Sequence, residues 1–146
     1  MSLLKATDWG YIDMMNVYFR AGTVPSRFDM RLLSANVADG TKNWADVSAT
    51  ELVTGGGYTA GGKPIARGSG ADGFPALLVV AGDAEISSCY VSWAATADWA
   101  AAVKAVCLVA VRATEQLVLY ANLASQTVYN QDVVGWTMKF TLKKVV

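Results

Sequence analysis

The sequence predicts an all-β domain, an antiparallel β-sandwich or jelly roll with one short N-terminal helix. Several segments alternate apolar and polar residues with a period of two, turn residues separate these segments, and helical spacing occurs in only one place. At 146 residues, the chain is long enough to bury one ordinary core. We therefore expect 1–146 to form a single domain, with a helical arm at 1–24 and a β-sandwich at 25–146.

The helix is predicted near the N-terminal end of the chain. Thr7 or Asp8 can accept hydrogen bonds from the first free backbone N–H groups, and Gly22 with Pro25 ends the pattern. The apolar residues that recur at helical spacing are Tyr11, Ile12, Met15, Tyr18 and Phe19. We favour the interpretation that this helix closes one end of the β core. The alternative is that the arm packs on a neighbouring subunit.

The strands are predicted from apolar alternation. Segment 28–32 places Asp29 and Arg31 on the face opposite its apolar residues, which is typical of a half-buried strand. Segment 103–111 is apolar on both faces and predicts a central strand. The last segment assigns Trp136, Met138, Phe140 and Leu142 to the core face and Thr137, Lys139, Thr141 and Lys143 to the opposite face. Further strands are predicted at 74–80, 85–93 and 117–123.

Three aromatic residues are predicted protein contacts, because aromatic anchors dominate protein interfaces. Segment 36–48 is polar and predicts a long surface loop around Trp44. Trp44 either contacts a partner or folds back over the edge of the core, and the sequence favours neither. The other two contact residues are Tyr58, after the glycines at 55–57, and Trp99.

The glycine-rich stretch around 55–62 is expected to serve turns and bulges. A phosphate-binding loop is not predicted there. Such a loop needs a lysine followed by serine or threonine and then a helix, whereas Lys63 is followed by Pro64.

Composition restricts the classes of partner. Apolar residues make up 53% of the chain and charged residues 16%, and the net charge is zero. So few charges indicate a surface that is buried against a partner, with a plain apolar monomer as the alternative. The absence of a basic run argues against nucleic-acid binding, and no apolar run is long enough to span a membrane. The N-terminus lacks a signal-peptide pattern, so we expect a cytoplasmic setting in which Cys89 and Cys107 are not paired.

The sequence predicts no catalytic, cofactor-binding or metal-ligating residues, and we expect a protein that is not an enzyme. It contains no histidine, which is the commonest general base and a common metal ligand. Its two cysteines lack the paired spacing of a zinc site. Most of its carboxylates stand at expected turns or helix starts, where aspartate stabilises the backbone.

Six segments, taken in order along the chain, resemble a family of small structural proteins of tailed bacteriophages that includes decoration, collar and tail-fibre-like proteins. The segments are NVYFR at 16–20, FDMRLL at 28–33, TELVTGGGY at 50–58, ATADW at 95–99, LVLY at 117–120 and WTMKF at 136–140. They span most of the chain, and their order carries the resemblance more than any single motif. The chain departs from the family pattern in its glycine-rich insert at 61–73 and in the alanines that follow Trp99.

The resemblance implies a structural virion protein that is assembled in the host cytoplasm. The first function it implies is that of a capsid decoration (cement) protein. Its expected partners are the major capsid protein or other virion proteins, and we expect the chain to form a homo-oligomer, either a dimer or a trimer. One alternative is a neck, collar or tail-fibre component. Another is a carbohydrate- or receptor-binding adhesion module, in which Trp44, Tyr58 or Trp99 would stack on a sugar.

Overall fold

A computed structural model describes residues 5–40 and 43–142 and confirms the predicted all-β class, with a sandwich-like arrangement of antiparallel sheets. The one α-helix of the described residues is α1 (Asp8–Phe19). The strands are β1 (Lys5–Ala6), β2 (Arg27–Leu33), β3 (Lys63–Ala66), β4 (Ala76–Val80), β5 (Asp83–Ser87), β6 (Val91–Ala94), β7 (Val103–Val111), β8 (Gln116–Gln126), β9 (Val133–Trp136) and β10 (Lys139–Leu142).

The main sheet has five strands in the order β1-β8-β7-β2-β3, and all neighbours are antiparallel. Its middle strand is β7, so the prediction of a central strand at 103–111 is confirmed. Six of the nine residues of β7 in a row, from 105 to 110, are buried, because both faces of this strand are covered. A strand with no solvent-exposed face does not need polar residues at every second position, which explains the apolar composition of β7.

One face of the main sheet carries the larger hydrophobic core. Met30, Val106 and Val118 project from the sheet into this core, and Trp93 of β6, which is 1% exposed, packs against them from the other layer. β6 and β9 form a two-stranded sheet, and Val134 of β9 joins the same core. These two layers are the sandwich.

The opposite face of the main sheet carries a second core, which corrects two predictions. Segment 34–50 contains 3₁₀ turns at Trp44–Asp46 and Ser48–Thr50, and it packs Trp44 and Val47 onto this face. β2 is therefore buried on both faces rather than on one, and Asp29 and Arg31 are only 3% and 5% exposed. Segment 36–48 is not a plain surface loop, because its apolar residues complete a core.

β5 with β6, and β9 with β10, form the two strands of one bent ribbon. The sequence predicts single strands at 85–93 and 136–143, but each is interrupted. At the bend, the Ser88 N–H donates to Met138 O at 2.8 Å and the Met138 N–H donates to Ser88 Oγ at 2.9 Å. Cys89 and Tyr90 then face a single residue, Thr137, before the ladder resumes. An extra residue on one strand bends an antiparallel pair, so the ribbon leaves one sheet and enters another.

The third sheet has the order β10-β5-β4, and we call it the projecting sheet. β4 and β5 are joined by Ala81 and Gly82, both at positive φ (50° and 88°), as a two-residue hairpin turn of type I′ requires. The prediction of a strand at 74–80 is confirmed, although its residues from 77 to 80 are exposed. Lys143, predicted on the polar face of the last strand, lies outside the described residues.

Candidate interaction surfaces

The three predicted contact residues lie in the interior of the molecule. Trp44, Tyr58 and Trp99 are 7%, 2% and 8% exposed. Their rings therefore belong to the two cores, and the folded chain presents little of them to a partner. We assign the candidate contact surface to other residues.

Trp44 folds back over the core, which is one of its two predicted positions. The guanidinium carbon of Arg31 lies 4.6 Å from the centroid of its ring, a cation–π distance. Arg31 also donates to Asp29 at 3.1 Å and to Glu115 at 2.5 Å. Burial works against the charged guanidinium, but these carboxylates outweigh it and raise the pKa of Arg31 above its ordinary value. Trp44 thus completes the environment of a buried cation.

Tyr58 and Trp99 join three separate segments in one structural cluster. The Tyr58 hydroxyl donates to Glu51 Oε1 at 2.9 Å and accepts from the Leu32 N–H at 3.2 Å. Trp99 Nε1 donates to Gly56 O at 2.7 Å, and the two rings meet edge to face at 5.9 Å. Burial raises the pKa of Tyr58 well above its ordinary value. The glycine-tyrosine turn and the Asp-Trp segment are therefore parts of one packing unit.

A cleft of about 280 Å³ lies beside this cluster, with Glu51, Asp98 and Trp99 among its lining residues. Glu51 Oε1 is already occupied by Tyr58 and by the Gly61 N–H at 2.6 Å, and Asp98 Oδ1 accepts from the Asn130 N–H at 2.8 Å. These carboxylates hold the backbone of neighbouring loops, which is the ordinary role of acidic residues at turns. Within residues 5–40 and 43–142, no group of three potential ligands is placed to hold a metal ion.

The first candidate surface is the outward face of α1. Its members, Tyr11, Ile12, Met15, Tyr18 and Phe19, are 50%, 45%, 57%, 82% and 68% exposed, and we call them the helix stripe. The predicted helix does pack against the main sheet, at β8, but the stripe does not make this contact, because the stripe points away from the body. The alternative, that it packs on a neighbouring subunit, stays a prediction.

Packing at the opposite side of α1 fixes this orientation. Thr7 caps the helix by accepting from the Gly10 N–H at 2.8 Å, as predicted, and its hydroxyl donates to Leu117 O at 2.8 Å. A Cβ at Gly10 would lie only 2.3 Å from Val118 O, so the helix touches β8 at a residue without a side chain. Arg112 forms an ion pair with Asp13 further along. Gly10 is the sequence signal for the packed face, and it lies opposite the stripe.

The helix also ends earlier than the predicted end at Gly22. Its last residue is Phe19, because Ala21 adopts a positive φ of 51° and the Gly22 N–H donates back to Asn16 O at 2.9 Å.

The second candidate surface is the projecting sheet. The strand register places Leu77, Ile86 and Phe140 in one row and Val79, Ala84 and Leu142 in the next, all on the same face. Leu77, Val79 and Leu142 are 71%, 77% and 56% exposed. On the other face, Glu85 pairs with Lys139 at 2.5 Å. The sheet thus has one apolar face with exposed residues from two strands, and its other face adds the exposed Leu78 and Val80 of β4.

The two cysteines are free, with Cys107 in the second core and Cys89 half-buried. Among the described helical residues, none forms a helix of the length and apolarity that a bilayer crossing requires. Comparisons with protein-family models, with curated proteins and with solved structures return no match to this chain.

Proposed function

We propose that this chain is a structural protein of a tailed-phage particle and that it acts as a capsid decoration (cement) protein. The observation that carries the proposal is the helix stripe: five large apolar side chains on one helix face, held away from the core by the packing at Gly10. Exposed apolar patches of this kind mark sites of protein association. The family resemblance of the sequence supplies the class of particle.

The strength of one such contact favours a protein that acts in many copies. Fully burying a large apolar side chain contributes about 1.5–3 kcal/mol, so covering five side chains that are 45–82% exposed contributes on the order of 6 kcal/mol. Association itself costs about 4–15 kcal/mol. A single copy is therefore bound weakly through this stripe alone. Copies that bind a repeating lattice of sites, or that are joined to one another, hold the shell more tightly than a single copy does. A shell-stabilising protein requires this avidity.

The body of the domain suits the same role. The stripe is carried by a helix that is capped, ion-paired and packed against the five-stranded sheet. A rigid support reduces the entropy lost on binding. No comparable observation favours the adhesion alternative, since the rings on which a sugar would stack are buried.

The test is reconstitution on phage particles that are assembled without this chain. Purified wild-type chain is added, unbound chain is removed by sedimentation, and bound copies are counted on a quantitative gel. We expect saturable binding at hundreds of copies per particle and a shell that withstands higher temperature. A few copies per particle would instead support the neck, collar or tail-fibre alternative, and an absence of binding would refute both.

Matched variants connect the binding to the stripe. The double substitution Tyr18→Ser and Phe19→Ser removes its two most exposed members, and Tyr129→Ser removes a ring that is 59% exposed elsewhere on the surface. We expect the first variant to lose at least ten-fold in affinity for the particle and the control to bind like the wild type. Equal binding by the two variants would show that the stripe is not the contact. Circular dichroism of each variant establishes that the chain is folded.

A further inference from the structure

We propose that β4 pairs antiparallel with β4 of a second copy of this chain, which joins two projecting sheets into one six-stranded sheet. The inference does not depend on the virion role, because it concerns how the chain binds itself. It begins from the position of β4 at the edge of the projecting sheet.

From Ala76 to Val80, β4 lacks the features that normally protect an edge strand, and the nearest proline, Pro75, lies just before it. Its register with β5 is unbroken from Ala76 to Val80, so no bulge turns the edge away. No charged residue occurs from Gly73 to Gly82, and Leu77 and Val79 are 71% and 77% exposed. Edge strands of soluble proteins usually carry a charge, a bulge or a cover to prevent pairing. An edge without these devices is suited to pairing.

The hairpin turn determines which backbone groups are available for pairing. In a two-residue hairpin, the residues that flank the turn, here Val80 and Asp83, form a hydrogen-bonded pair. Hydrogen-bonded pairs recur at every second residue, so Leu78 also bonds to β5. The N–H and C=O groups of Leu77 and Val79 therefore point outward, away from β5.

Only one antiparallel register uses all of these groups. When Leu78 lies opposite Leu78 of the second copy, Leu77 pairs with Val79 in both directions and four hydrogen bonds form. A shift in one direction sets Val79 against Pro75, which has no N–H. A shift in the other direction sets Leu77 against Ala81, which lies in the turn. The strand is therefore its own complement about a two-fold axis at Leu78, as an isologous dimer requires.

Charge and sheet size also favour a second copy as the occupant. The chain has a net charge of zero, so two copies do not repel each other as a whole. Every side chain that β4 would meet in the symmetric register is apolar: Leu78 meets Leu78, Leu77 meets Val79, and Ala76 meets Val80. Sheets usually have four to six strands, and pairing would give six where the single copy has three.

Sedimentation velocity of the full chain over a range of concentrations tests the dimer. We expect the wild type to form a dimer as its concentration rises. Leu77→Lys should weaken the dimer at least ten-fold, whereas Val53→Lys, which changes another apolar side chain of 71% exposure, should leave it unchanged. Val79→Pro should also abolish the dimer, because it removes an outward N–H and leaves the bonds to β5 in place. A wild-type chain that is monomeric at roughly 1 mM, the weak end of specific association, would overturn the proposal.

Cysteine crosslinking tests the register. In a Cys89→Ser background, Leu78→Cys should give a disulfide-linked dimer under mild oxidation, because residues of a non-hydrogen-bonded pair lie about 4.5 Å apart at Cα. Leu77→Cys should not, since its own counterpart lies two residues away across the axis. Efficient linkage at 77 and none at 78 would overturn the register, and growth of the wild-type chain beyond a dimer in the sedimentation experiment would overturn the closed dimer. A chain that dimerises but ignores phage shells would refute the proposed function alone, and a chain that binds shells as a monomer would refute the dimer alone.

Discussion

Arg31 and Trp44 lie against each other inside the molecule, with the guanidinium carbon 4.6 Å from the centroid of the indole ring. The contact connects the centre of β2 to the first 3₁₀ turn of segment 34–50. It explains how a polar segment and a strand with two buried charged residues come to share one core. The Arg31 guanidinium compensates the negative charges of Asp29 and Glu115, and the indole ring of Trp44 covers the guanidinium.

Trp44→Ala should lower the free energy of unfolding by about 3–5 kcal/mol, because it leaves a cavity in the second core and removes the cover of Arg31. Urea unfolding followed by circular dichroism measures the change. Val53→Ala is the control, since Val53 is 71% exposed and should change the free energy by about 0.5 kcal/mol or less. If the two variants are equally stable, segment 34–50 is not part of the core.

Gly10→Ala should destabilise the protein although alanine is the better helix former. In an exposed helix, the change would add about 0.5–1 kcal/mol of stability. Here the new Cβ would lie 2.3 Å from Val118 O, so α1 must move away from β8, and we expect a net loss of about 1–3 kcal/mol. Thermal unfolding measures the sign. Met15→Ala, at a residue that is 57% exposed on the same helix, should change stability much less.

The protein should lose stability in alkaline solution. Burial raises the folded-state pKa of Tyr58 and of Cys107. The unfolded chain therefore releases these protons first as the pH rises. The stability that these two protonated groups contribute is fully present below their pKa values in the unfolded chain, which are 9.0 for cysteine and 10.0 for tyrosine. It is lost as the pH rises above those values. The loss is at most about 1.4 kcal/mol per pH unit for each group.

Urea unfolding at several pH values between about 7 and 11 measures this slope. This range spans the pKa values that the two side chains have in the unfolded chain. Tyr58→Phe should give a shallower alkaline slope. It should also cost about 1–3 kcal/mol at neutral pH, because the Leu32 N–H loses its acceptor and Glu51 loses a donor. A variant with the wild-type slope would show that Tyr58 does not titrate in this range.

The two cysteines should differ in their reaction with a thiol reagent. Burial raises the pKa of both thiols, most strongly for the fully buried Cys107, so little of the reactive thiolate is present at neutral pH. We expect slow labelling of the half-buried Cys89 and labelling of Cys107 only when the chain unfolds. A time course followed by mass spectrometry measures both rates. Cys89→Ser should therefore take up no label under native conditions, and rapid labelling of that variant would contradict the burial of Cys107.

Local rules predict much of the fold. The apolar run of β7 and the cap at Thr7 follow from neighbouring residues alone, and the structure confirms both. The interruptions at Ser88 and Thr137 are not predictable in this way, because apolar alternation continues through them and a bend changes the sheet without changing the pattern. Their signal is the pairing of Ser88 with Met138, which is distant in sequence.

The candidate surfaces were predictable only in part. Helical spacing identifies the residues of the helix stripe but not the direction in which they point. That direction depends on the contact of Gly10 with Val118, which is distant in sequence. β4 has the composition of a buried strand, and only its position at the end of a sheet shows that it is exposed. For the same reason, aromatic type alone did not distinguish the buried Trp99 from the exposed Tyr18.

The bent ribbon has a mechanical consequence. Its two strands continue from the projecting sheet into the layer that covers the main core, with Ser88 and Met138 bonded where the direction changes. A pull on the hairpin tip would therefore run along the backbone into the region around Trp93 instead of ending in a loose loop. The ladder between β5 and β10 runs along the direction of such a pull, so several hydrogen bonds would share the load in shear.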